Sequence, residues 1–385
     1  MIRVLHVVGS MNIGGTESML MNVYREIDRS KVQFDFISYC EEEACYDREI
    51  KAMGGRIIHL KSPKKGGAYK SIKHLCRTIK QYGPYRAIHC HTSFNCGFGV
   101  FSAFLCGVKI RISHSHTTGD NGSGFSRKAY RKFMKILIRI FSSEFAACSS
   151  SAGSYLFTSS AVKGRRYTYV PNYVPIEKFM DKGNCNGVRE ELDIKPNEKL
   201  VGHIGTFKKE KNHKFLIKVI QSMVCKDENI RCILVGDGPL RGEIEEEAEK
   251  SGLKDKIYFL GQRIDIPDIL KTMDAFIFPS IYEGLGLVLL EAQACGVPCV
   301  VSEAIQPEAD LNIGLLRRMD LSEVPGKWAD AVFEMMNKSQ VGKELIKNSF
   351  ENKGCNLDNI LSILGKLYHI KDLGNEYEKS IDSIL

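Results

Sequence analysis

Two glutamates near the start of an apolar helical stretch are the residues of this sequence best placed to do chemistry. Glu283 is followed by Gly284 and Gly286 and then by an apolar run that contains Glu291. A carboxylate on a mostly apolar helix is costly to bury unless it accepts hydrogen bonds. If the segment is fully helical, the two residues are at most about 12 Å apart, roughly the sugar-to-ribose distance in a nucleotide sugar. The helix N-terminus between them would favour an anion such as a diphosphate.

Glycine-containing loops precede two other helical stretches and could also bind phosphate. The first loop contains Gly14 and Gly15, and the second begins at Gly205 and carries three lysines, among them Lys208 and Lys211. Glycines let the backbone approach a ligand closely, and lysines beside a helix N-terminus neutralise phosphate charge. A plain surface turn explains each loop equally well, so neither loop defines a site by itself.

Two His-x-His pairs, His89 with His91 and His114 with His116, follow predicted strands of the first half of the chain. Neutral imidazoles are good metal ligands, so the two pairs together could form a metal site. However, no carboxylate cluster accompanies them, and the sequence contains no Asp-x-Asp motif. We therefore expect no bound metal. We expect His114 and His116 to face a cleft between two domains, and His89 to be buried or to support the site from behind it.

The positions of all these residues depend on a repeated alternation of strand-like and helix-like segments. Short apolar runs alternate with amphipathic stretches over residues 2–170 and again over 200–302. This alternation predicts right-handed βαβ units and mainly parallel sheets, whose ligands bind at the carboxyl ends of the strands. We predict an α/β fold of two doubly wound Rossmann-like domains, 1–172 and 173–365, with a C-terminal helix over 366–385 that could return to the first domain.

Charge divides the chain into two electrically different halves. Residues 1–180 carry 27 Lys and Arg against 12 Asp and Glu, whereas residues 181–385 carry 27 against 34. A basic half indicates an anionic partner, which is a phosphorylated substrate, a membrane surface or nucleic acid. Nucleic acid is disfavoured because no recognition helix, RRM or OB signature accompanies the basic residues.

The segment 125–140 combines six Lys and Arg with an apolar stripe and no acidic residue. Basic amphipathic helices often lie on anionic membrane surfaces, and the alternative is a domain helix with a solvated basic face. The longest apolar run is too short to span a membrane, and the N-terminal run is too short for a signal peptide. We expect a cytoplasmic protein that binds peripherally to the inner face of the cell membrane.

Together these motifs resemble those of one enzyme family. The Glu-x7-Glu segment 283–291, the loop 205–213 and the Gly-Asp-Gly-Pro-Leu segment 236–240 are similar to the retaining glycosyltransferases of GT-B fold, which include bacterial exopolysaccharide and capsule transferases. The resemblance runs through nearly the whole chain. It implies two Rossmann-like domains facing a cleft and a hexosyltransferase that uses a nucleoside-diphosphate sugar, with UDP the expected nucleotide.

The resemblance also implies roles for individual residues. Glu283 would contact the donor sugar, Lys211 would neutralise the diphosphate, and Glu291 would bind the ribose hydroxyls. His91 would lie near the reacting anomeric carbon. Further contacts to the donor are implied for Gly284, Leu285, Gly286 and Leu287 at the sugar and diphosphate, for Gln262 and Arg263 beside the nucleobase, and for Gly14 and Gly15 over the phosphates.

One position departs from the family pattern. Thr206 stands directly after Gly205, where the family usually has arginine. Either Lys208 supplies the missing charge, or the affinity for the donor is weakened, or the enzyme is impaired. We expect both Thr206 and Lys208 to belong to the substrate-binding site.

The implied acceptor is an oligosaccharide carried by a polyprenyl diphosphate lipid, and no cofactor or metal is expected because Lys211 and helix dipoles would carry the diphosphate charge. Two alternatives remain. A sugar-nucleotide epimerase can share this architecture, but it would need acid–base carboxylates at the sugar. A non-enzymatic membrane-surface protein would use the basic half, but it leaves the arrangement of Glu283 and Glu291 unexplained.

Overall fold

The structure of the protein is a computed structural model that describes residues 1–120, 124–181, 185–371 and 373. The chain forms two compact units. The first domain consists of Met1–Tyr173 together with the chain from Gly354 onward, and the second domain consists of Val174–Lys353. The chain therefore leaves the first domain once and later returns to it.

Each domain is built on one sheet of parallel strands. Numbered along the chain, the strands are β1 (Ile2–Val8), β2 (Val32–Ser38), β3 (Ile57–His59), β4 (Ala87–Cys90), β5 (Ile110–Ser115), β6 (Glu144–Ala147), β7 (Tyr167–Tyr169), β8 (Lys199–Ile204), β9 (Ile230–Val235), β10 (Ile257–Gly261), β11 (Ala275–Phe278), β12 (Cys299–Ser302) and β13 (Leu316–Met319). Their order is β3-β2-β1-β4-β5-β6-β7 in the first sheet and β10-β9-β8-β11-β12-β13 in the second. Both orders reverse beside the first strand, so right-handed crossovers place helices on both faces of each sheet.

The helices, in chain order, are α1 (Gly15–Glu26), α2 (Asp47–Ala52), α3 (Pro63–Gly66), α4 (Ala68–Tyr82), α5 (Cys96–Leu105), α6 (Phe125–Phe141), α7 (Ser150–Leu156), α8 (Ser159–Val162), α9 (Ile176–Met180), α10 (Cys185–Glu191), α11 (His213–Lys226), α12 (Arg241–Lys250), α13 (Ile266–Lys271), α14 (Leu287–Ala294), α15 (Pro325–Met336), α16 (Lys343–Asn352) and α17 (Leu357–Tyr368). Among the described residues, no helix combines the length and the apolar character needed to cross a membrane.

Buried central strands and the helices that cover them form the core of each domain. All seven residues of β2 are buried, as expected for a parallel strand covered on both faces. In the second domain, the fully buried Trp328 of α15 packs edge-on against Phe215 of α11 and donates its indole N–H to the carbonyl oxygen of Asp320 at 3.0 Å. These two parallel sheets confirm the predicted α/β class and the two doubly wound domains.

The boundary between the domains differs from the prediction at its second crossing. The first crossing lies between Tyr173 and Val174, next to the predicted position, but the chain returns to the first domain at Gly354 rather than at residue 366. The reason is α17, whose apolar face, including Leu364, is buried and packs against first-domain elements α1 and β5. Most of the predicted helix over 366–385 lies outside the described residues, and α17 ends at Tyr368.

Strand β13 has no counterpart among the predicted strands. It pairs in parallel with β12 at the edge of the second sheet, and its four residues are half-buried. Its centre is Arg317-Arg318, so its sequence lacks the apolar run that marks a central strand of a parallel sheet.

We predict that Leu364→Ala in α17 lowers the free energy of unfolding of the first domain by about 2–5 kcal/mol, because it leaves a cavity in a packed core. Leu364 is 5% exposed, whereas Leu345 on α16 is 52% exposed. Leu345→Ala is the matched control and should change stability by less than about 0.5 kcal/mol. Hydrogen exchange of β4 and β5 during urea unfolding measures the effect. Equal effects of the two substitutions would contradict the placement of α17 in the first-domain core.

Candidate active site

Carboxyl ends of neighbouring strands bring three loops of the second domain together. The loop from Gly205 follows β8, the segment 236–240 follows β9, and the segment 279–286 follows β11. Backbone hydrogen bonds join the first two loops, because the N–H of Phe207 donates to the carbonyl of Asp237 at 3.0 Å and that of Leu240 to the carbonyl of Phe207 at 3.1 Å. All three predicted motifs of the second domain therefore lie at one edge of its sheet.

Two glycines allow this close approach of the loops. Gly236 has φ +131° and Gly238 has φ +158°, values that residues with side chains rarely adopt. A Cβ atom at Gly236 would lie 2.2 Å from the carbonyl oxygen of Gly205, and one at Gly238 would lie 2.7 Å from that of Phe207. The Gly-Asp-Gly sequence thus fixes the position of the loop that begins at Gly205 and carries Lys208 and Lys211.

Lys211 and Glu283, which are predicted to act on one ligand, are in contact. The Lys211 Nζ atom lies 2.5 Å from Glu283 Oε1 and 4.5 Å from the centroid of the Phe278 ring. Both charged side chains are largely buried, at 17% and 14% exposure. The backbone N–H of Ile281 donates to the carbonyl of Glu210 at 2.8 Å, which ties their two loops together. A cation and a carboxylate are therefore fixed side by side, as binding of a phosphate next to a sugar hydroxyl requires.

Glu291 lies on α14 and is half-buried. Among the described residues, no side chain pairs with its carboxylate, and burial raises its pKa from 4.5 to about 7. Helix α14 begins only at Leu287, after Gly286 at φ +87°. The estimate of about 12 Å for the spacing of the two glutamates assumed a helix from the first to the second, and it does not apply because residues 283–286 form a loop.

The remaining predicted residues of the second domain differ in their surroundings. Lys208 and Gln262 are exposed and Thr206 is half-buried, whereas Gly284, Leu285 and Leu287 are buried and Gly286 is half-buried beside them. These positions leave the exposed side chains accessible to a ligand and make the buried residues of the α14 loop available mainly through their backbone.

Arg263 is held by two carboxylates of its own domain. Its guanidinium donates to Glu191 at 2.6 and 3.0 Å and to Asp265 at 2.8 and 2.6 Å. The bonds from Arg263 lower the pKa of Asp265, and they raise the pKa of Arg263 itself. This side chain connects α10 with the start of α13, so its predicted contact with a nucleobase stays a prediction.

In the first domain, a cavity of about 360 Å³ lies beside the start of α1. Gly14 and Gly15 lead into this helix, and the next two residues, Thr16 and Glu17, line the cavity together with His91. The sequence analysis did not single out its other polar lining residues, which are Tyr39, Ser62, Thr92 and Asn95. Polar side chains around a space of this size suit a hydroxyl-rich ligand.

All four predicted histidines lie together, and a fifth, His6 of β1, joins them. His6 Nδ1 lies 3.1 Å from His91 Nε2, and His91 Nδ1 lies 2.9 Å from His116 Nε2. His89 Nε2 lies 3.1 Å from His114 Nδ1. Burial lowers the pKa of all five, to about 3 for His6 and His116. The sequence signal for His6 is its position as a polar residue inside the apolar run of β1. The strand order places β1 beside β4.

Comparisons with known proteins match both domains. Residues 13–178 match the family model described as Glycosyltransferase Family 4, and residues 187–315 match the model described as Glycosyl transferases group 1. EpsF of Bacillus subtilis (strain 168), to which a glycosyltransferase activity is provisionally assigned, is 36% identical over 370 residues, which is 96% of each chain.

Two further relatives are more distant. The capsular polysaccharide biosynthesis glycosyltransferase CapH of Staphylococcus aureus is 26% identical over 88% of this chain and 92% of its own. The UDP-Gal:alpha-D-GlcNAc-diphosphoundecaprenol alpha-1,3-galactosyltransferase of Escherichia coli is 28% identical over 60% of this chain and 61% of its own.

Among solved structures, Anabaena HepE in complex with UDP-glucose superposes with a TM-score of 0.76 at 19% sequence identity, over 96% of this chain and 100% of its own. This likeness shows that the fold is the GT-B fold. The chain belongs to the glycosyltransferases, as the sequence motifs predicted. It is a glycosyltransferase of the hexosyltransferase type, with a relative in capsular polysaccharide synthesis.

We predict that the second domain loses stability relative to its Glu291→Gln variant as pH rises from 5 to 8. The pKa of Glu291 is raised by folding, so its contribution is fully present below the unfolded pKa of 4.5 and is lost as pH rises through about 7. The expected difference in the free energy of unfolding is about 2 kcal/mol. Fluorescence of Trp328, the sole tryptophan, follows urea unfolding of this domain. Parallel pH profiles for the two proteins would show that Glu291 is fully solvated.

Proposed function

We propose that the protein transfers a hexosyl group from a UDP-sugar to a lipid-linked oligosaccharide in exopolysaccharide or capsule synthesis, with retention of anomeric configuration. The observation that carries this proposal is the contact of Lys211 with Glu283 beside α14, the helix that also bears Glu291. Two charged groups of opposite sign and a helix N-terminus lie where a sugar, a diphosphate and a ribose follow one another in such a donor.

In this proposal the donor binds mainly to the second domain. The Lys211 ammonium pairs with the diphosphate, Glu283 accepts hydrogen bonds from the donor sugar, and Glu291 accepts them from the ribose hydroxyls. The backbone N–H groups at the start of α14 supply further donors, since the first N–H groups of a helix lack partners within it. Exposed Lys208 takes over the charge of the arginine that Thr206 replaces.

The chemical step needs charge stabilisation at the leaving phosphate. As the bond between the anomeric carbon and the phosphate oxygen breaks, negative charge develops on UDP and Lys211 stabilises it. The acceptor oxygen attacks from the same face, and its proton passes to the departing phosphate oxygen. His91, which lines the first-domain cavity, contacts the sugar near its anomeric carbon. A metal ion on the diphosphate is not required, because Lys211 and the α14 N-terminus carry its charge.

Names of similar proteins support the choice of donor and acceptor. HepE was solved with UDP-glucose, and the Escherichia coli relative is named for a UDP-galactose donor and a diphosphoundecaprenol-linked acceptor. The first-domain cavity beside His91 is polar and of a size to hold one acceptor sugar. We assign the acceptor to this domain for that reason.

A surface of α6 carries the proposed contact with the membrane. Arg127 and Arg131 both form ion pairs with Asp120, so one of the six positive charges is balanced within the domain. The α6 surface consists of the exposed basic residues Lys128, Lys132 and Arg139 and the exposed apolar residues Phe125, Phe133, Ile136 and Ile140. Apolar side chains flanked by lysines suit insertion among anionic lipid headgroups. The proposed location is therefore the cytoplasmic face of the cell membrane.

We predict that UDP raises the melting temperature of the protein more than GDP or ADP does, because a ligand of the native state stabilises it by mass action. Lys211→Ala and Glu291→Ala should each weaken UDP affinity by about tenfold or more, since each removes a charged hydrogen-bonding group. Lys250→Ala, at a residue 72% exposed on α12, is the control and should leave the shift unchanged. Unchanged UDP affinity in both site variants would exclude the proposed donor site.

We predict that replacing Lys128, Lys132 and Arg139 together by alanine weakens binding to vesicles containing phosphatidylglycerol by about a hundredfold, at about 1 kcal/mol for each basic residue. A variant with Lys226, Lys250 and Lys254 replaced by alanine loses the same charge from the second domain. It should bind as the unchanged protein does. Vesicle co-sedimentation measures both, and equal losses would show that net charge rather than the α6 surface drives the binding.

A further inference from the structure

The first domain contains five adjacent histidines whose arrangement the proposed transfer does not explain. We call them the histidine cluster and define it as His6, His89, His91, His114 and His116. Its members come from three neighbouring strands, β1, β4 and β5, and from the residues that follow β4 and β5. The rings of His114 and His116 lie 3.9 Å apart between centroids, and those of His89 and His91 lie 4.2 Å apart. Transfer employs only His91 of these five.

Hydrogen bonds link these histidines into two chains, and within the described part of the protein each chain ends at a buried nitrogen without a partner. Tyr368, His89 and His114 form one chain, with 2.8 Å between the Tyr368 hydroxyl oxygen and His89 Nδ1. The other chain consists of His6, His91 and His116. Among the described residues, the buried nitrogens His114 Nε2 and His6 Nε2 have no hydrogen-bond partner. A buried polar atom without a partner is costly, so the free Nε2 atom of His114 points to a ligand beside that residue.

Three members of the cluster have the geometry of a metal site. His91, His114 and His116 each offer a ring nitrogen, and these atoms all lie within 4.8 Å of one another. Zinc bound tetrahedrally at 2.0–2.1 Å from each nitrogen requires the ligand nitrogens to lie about 3.3 Å from one another. The nitrogens of His91 and His116 at 2.9 Å would separate slightly as the ion replaces the proton between them, and His114 would move toward them.

The imidazole nitrogens of these three residues favour a divalent cation such as Zn²⁺, and the partial exposure of His116 gives an ion a way to reach them. Imidazole without carboxylate suits zinc and disfavours magnesium and calcium. His116 is half-buried, whereas the other possible set, His6, His89 and His91, is completely buried. His116 is therefore the residue through which an ion would reach this set.

We propose that His91, His114 and His116 form a Zn²⁺-binding site in the first domain. The site shares His91 with the proposed transfer, whereas the other residues proposed to bind the donor, apart from Gly14 and Gly15, belong to the second domain. The transfer reaction does not use zinc, so the site goes beyond the proposed function. His91 lines the cavity beside α1, and the proposed transfer gives it a contact with the sugar near the anomeric carbon. A bound ion would therefore engage the same imidazole.

The test is a zinc titration of the full-length protein after removal of metals with EDTA, in competition with a chromophoric chelator. We expect one Zn²⁺ for each chain, and no competition from a large excess of Mg²⁺. His116→Ala and His114→Ala should each weaken zinc binding by at least about tenfold. Mutation of a residue that only hydrogen-bonds to a metal ligand already weakens binding by about tenfold or more, and loss of the ligand itself should have a larger effect. His74→Ala, at an exposed histidine of α4, is the control and should bind as the unchanged protein does.

Two further measurements keep the proposal open to refutation if a variant folds poorly. His116→Gln preserves the size of the half-buried side chain but removes its imidazole, and circular dichroism checks its fold. Co²⁺ bound to the unchanged protein should give the intense visible absorption of a tetrahedral site, without the sulfur charge-transfer band of a thiolate ligand. No stoichiometric zinc binding, or equal binding by His116→Gln and His74→Ala, would overturn the site. Neither readout uses a nucleotide sugar, so failure here is distinct from failure of the proposed function.

Discussion

Parallel pairing of β8 with β9 and β11 is the constraint on which the candidate donor site depends. The carboxyl ends of these strands lie at one edge of the sheet, so Lys211 and Glu283, 72 residues apart in sequence, come into contact there. Gly236 and Gly238 permit the loops to approach closely enough for backbone hydrogen bonds. In the first domain, the same constraint brings His6, His89 and His114 together from three adjacent strands.

Contacts within the second domain hold the side chains of the candidate donor site in position. Lys211 is fixed by Glu283 and by the ring of Phe278, so little reorganisation is needed when charge develops on a leaving phosphate. Glu291 is fixed differently, on a helix and in a poorly solvated environment that raises its pKa to about 7. A ligand that donates hydrogen bonds to this carboxylate would compensate for the solvation it has lost. The two glutamates of the motif therefore have different electrostatic surroundings despite their similar sequence context.

Sequence patterns predicted the central strands because buried parallel strands are apolar runs, and they located the loops that follow these strands. The edge strand β13 escaped prediction because Arg317 and Arg318 interrupt its pattern. The return of α17 to the first domain depends on long-range packing, which helical periodicity does not encode. Arg263 was assigned to the nucleobase by resemblance, whereas its ion pairs with Glu191 and Asp265 are a property of three-dimensional structure alone. His6 was missed because its partners lie on strands distant in sequence.

The central claim is that a nucleoside diphosphate binds at the loops after β8 and β11, and hydrogen–deuterium exchange tests it most directly. Exchange of the full-length protein with and without UDP reports which backbone amides the ligand protects. The account predicts protection of residues 205–213 and 283–291, with no change at the edge strand β13. Protection confined to other segments of the chain, or none at saturating UDP, would contradict it.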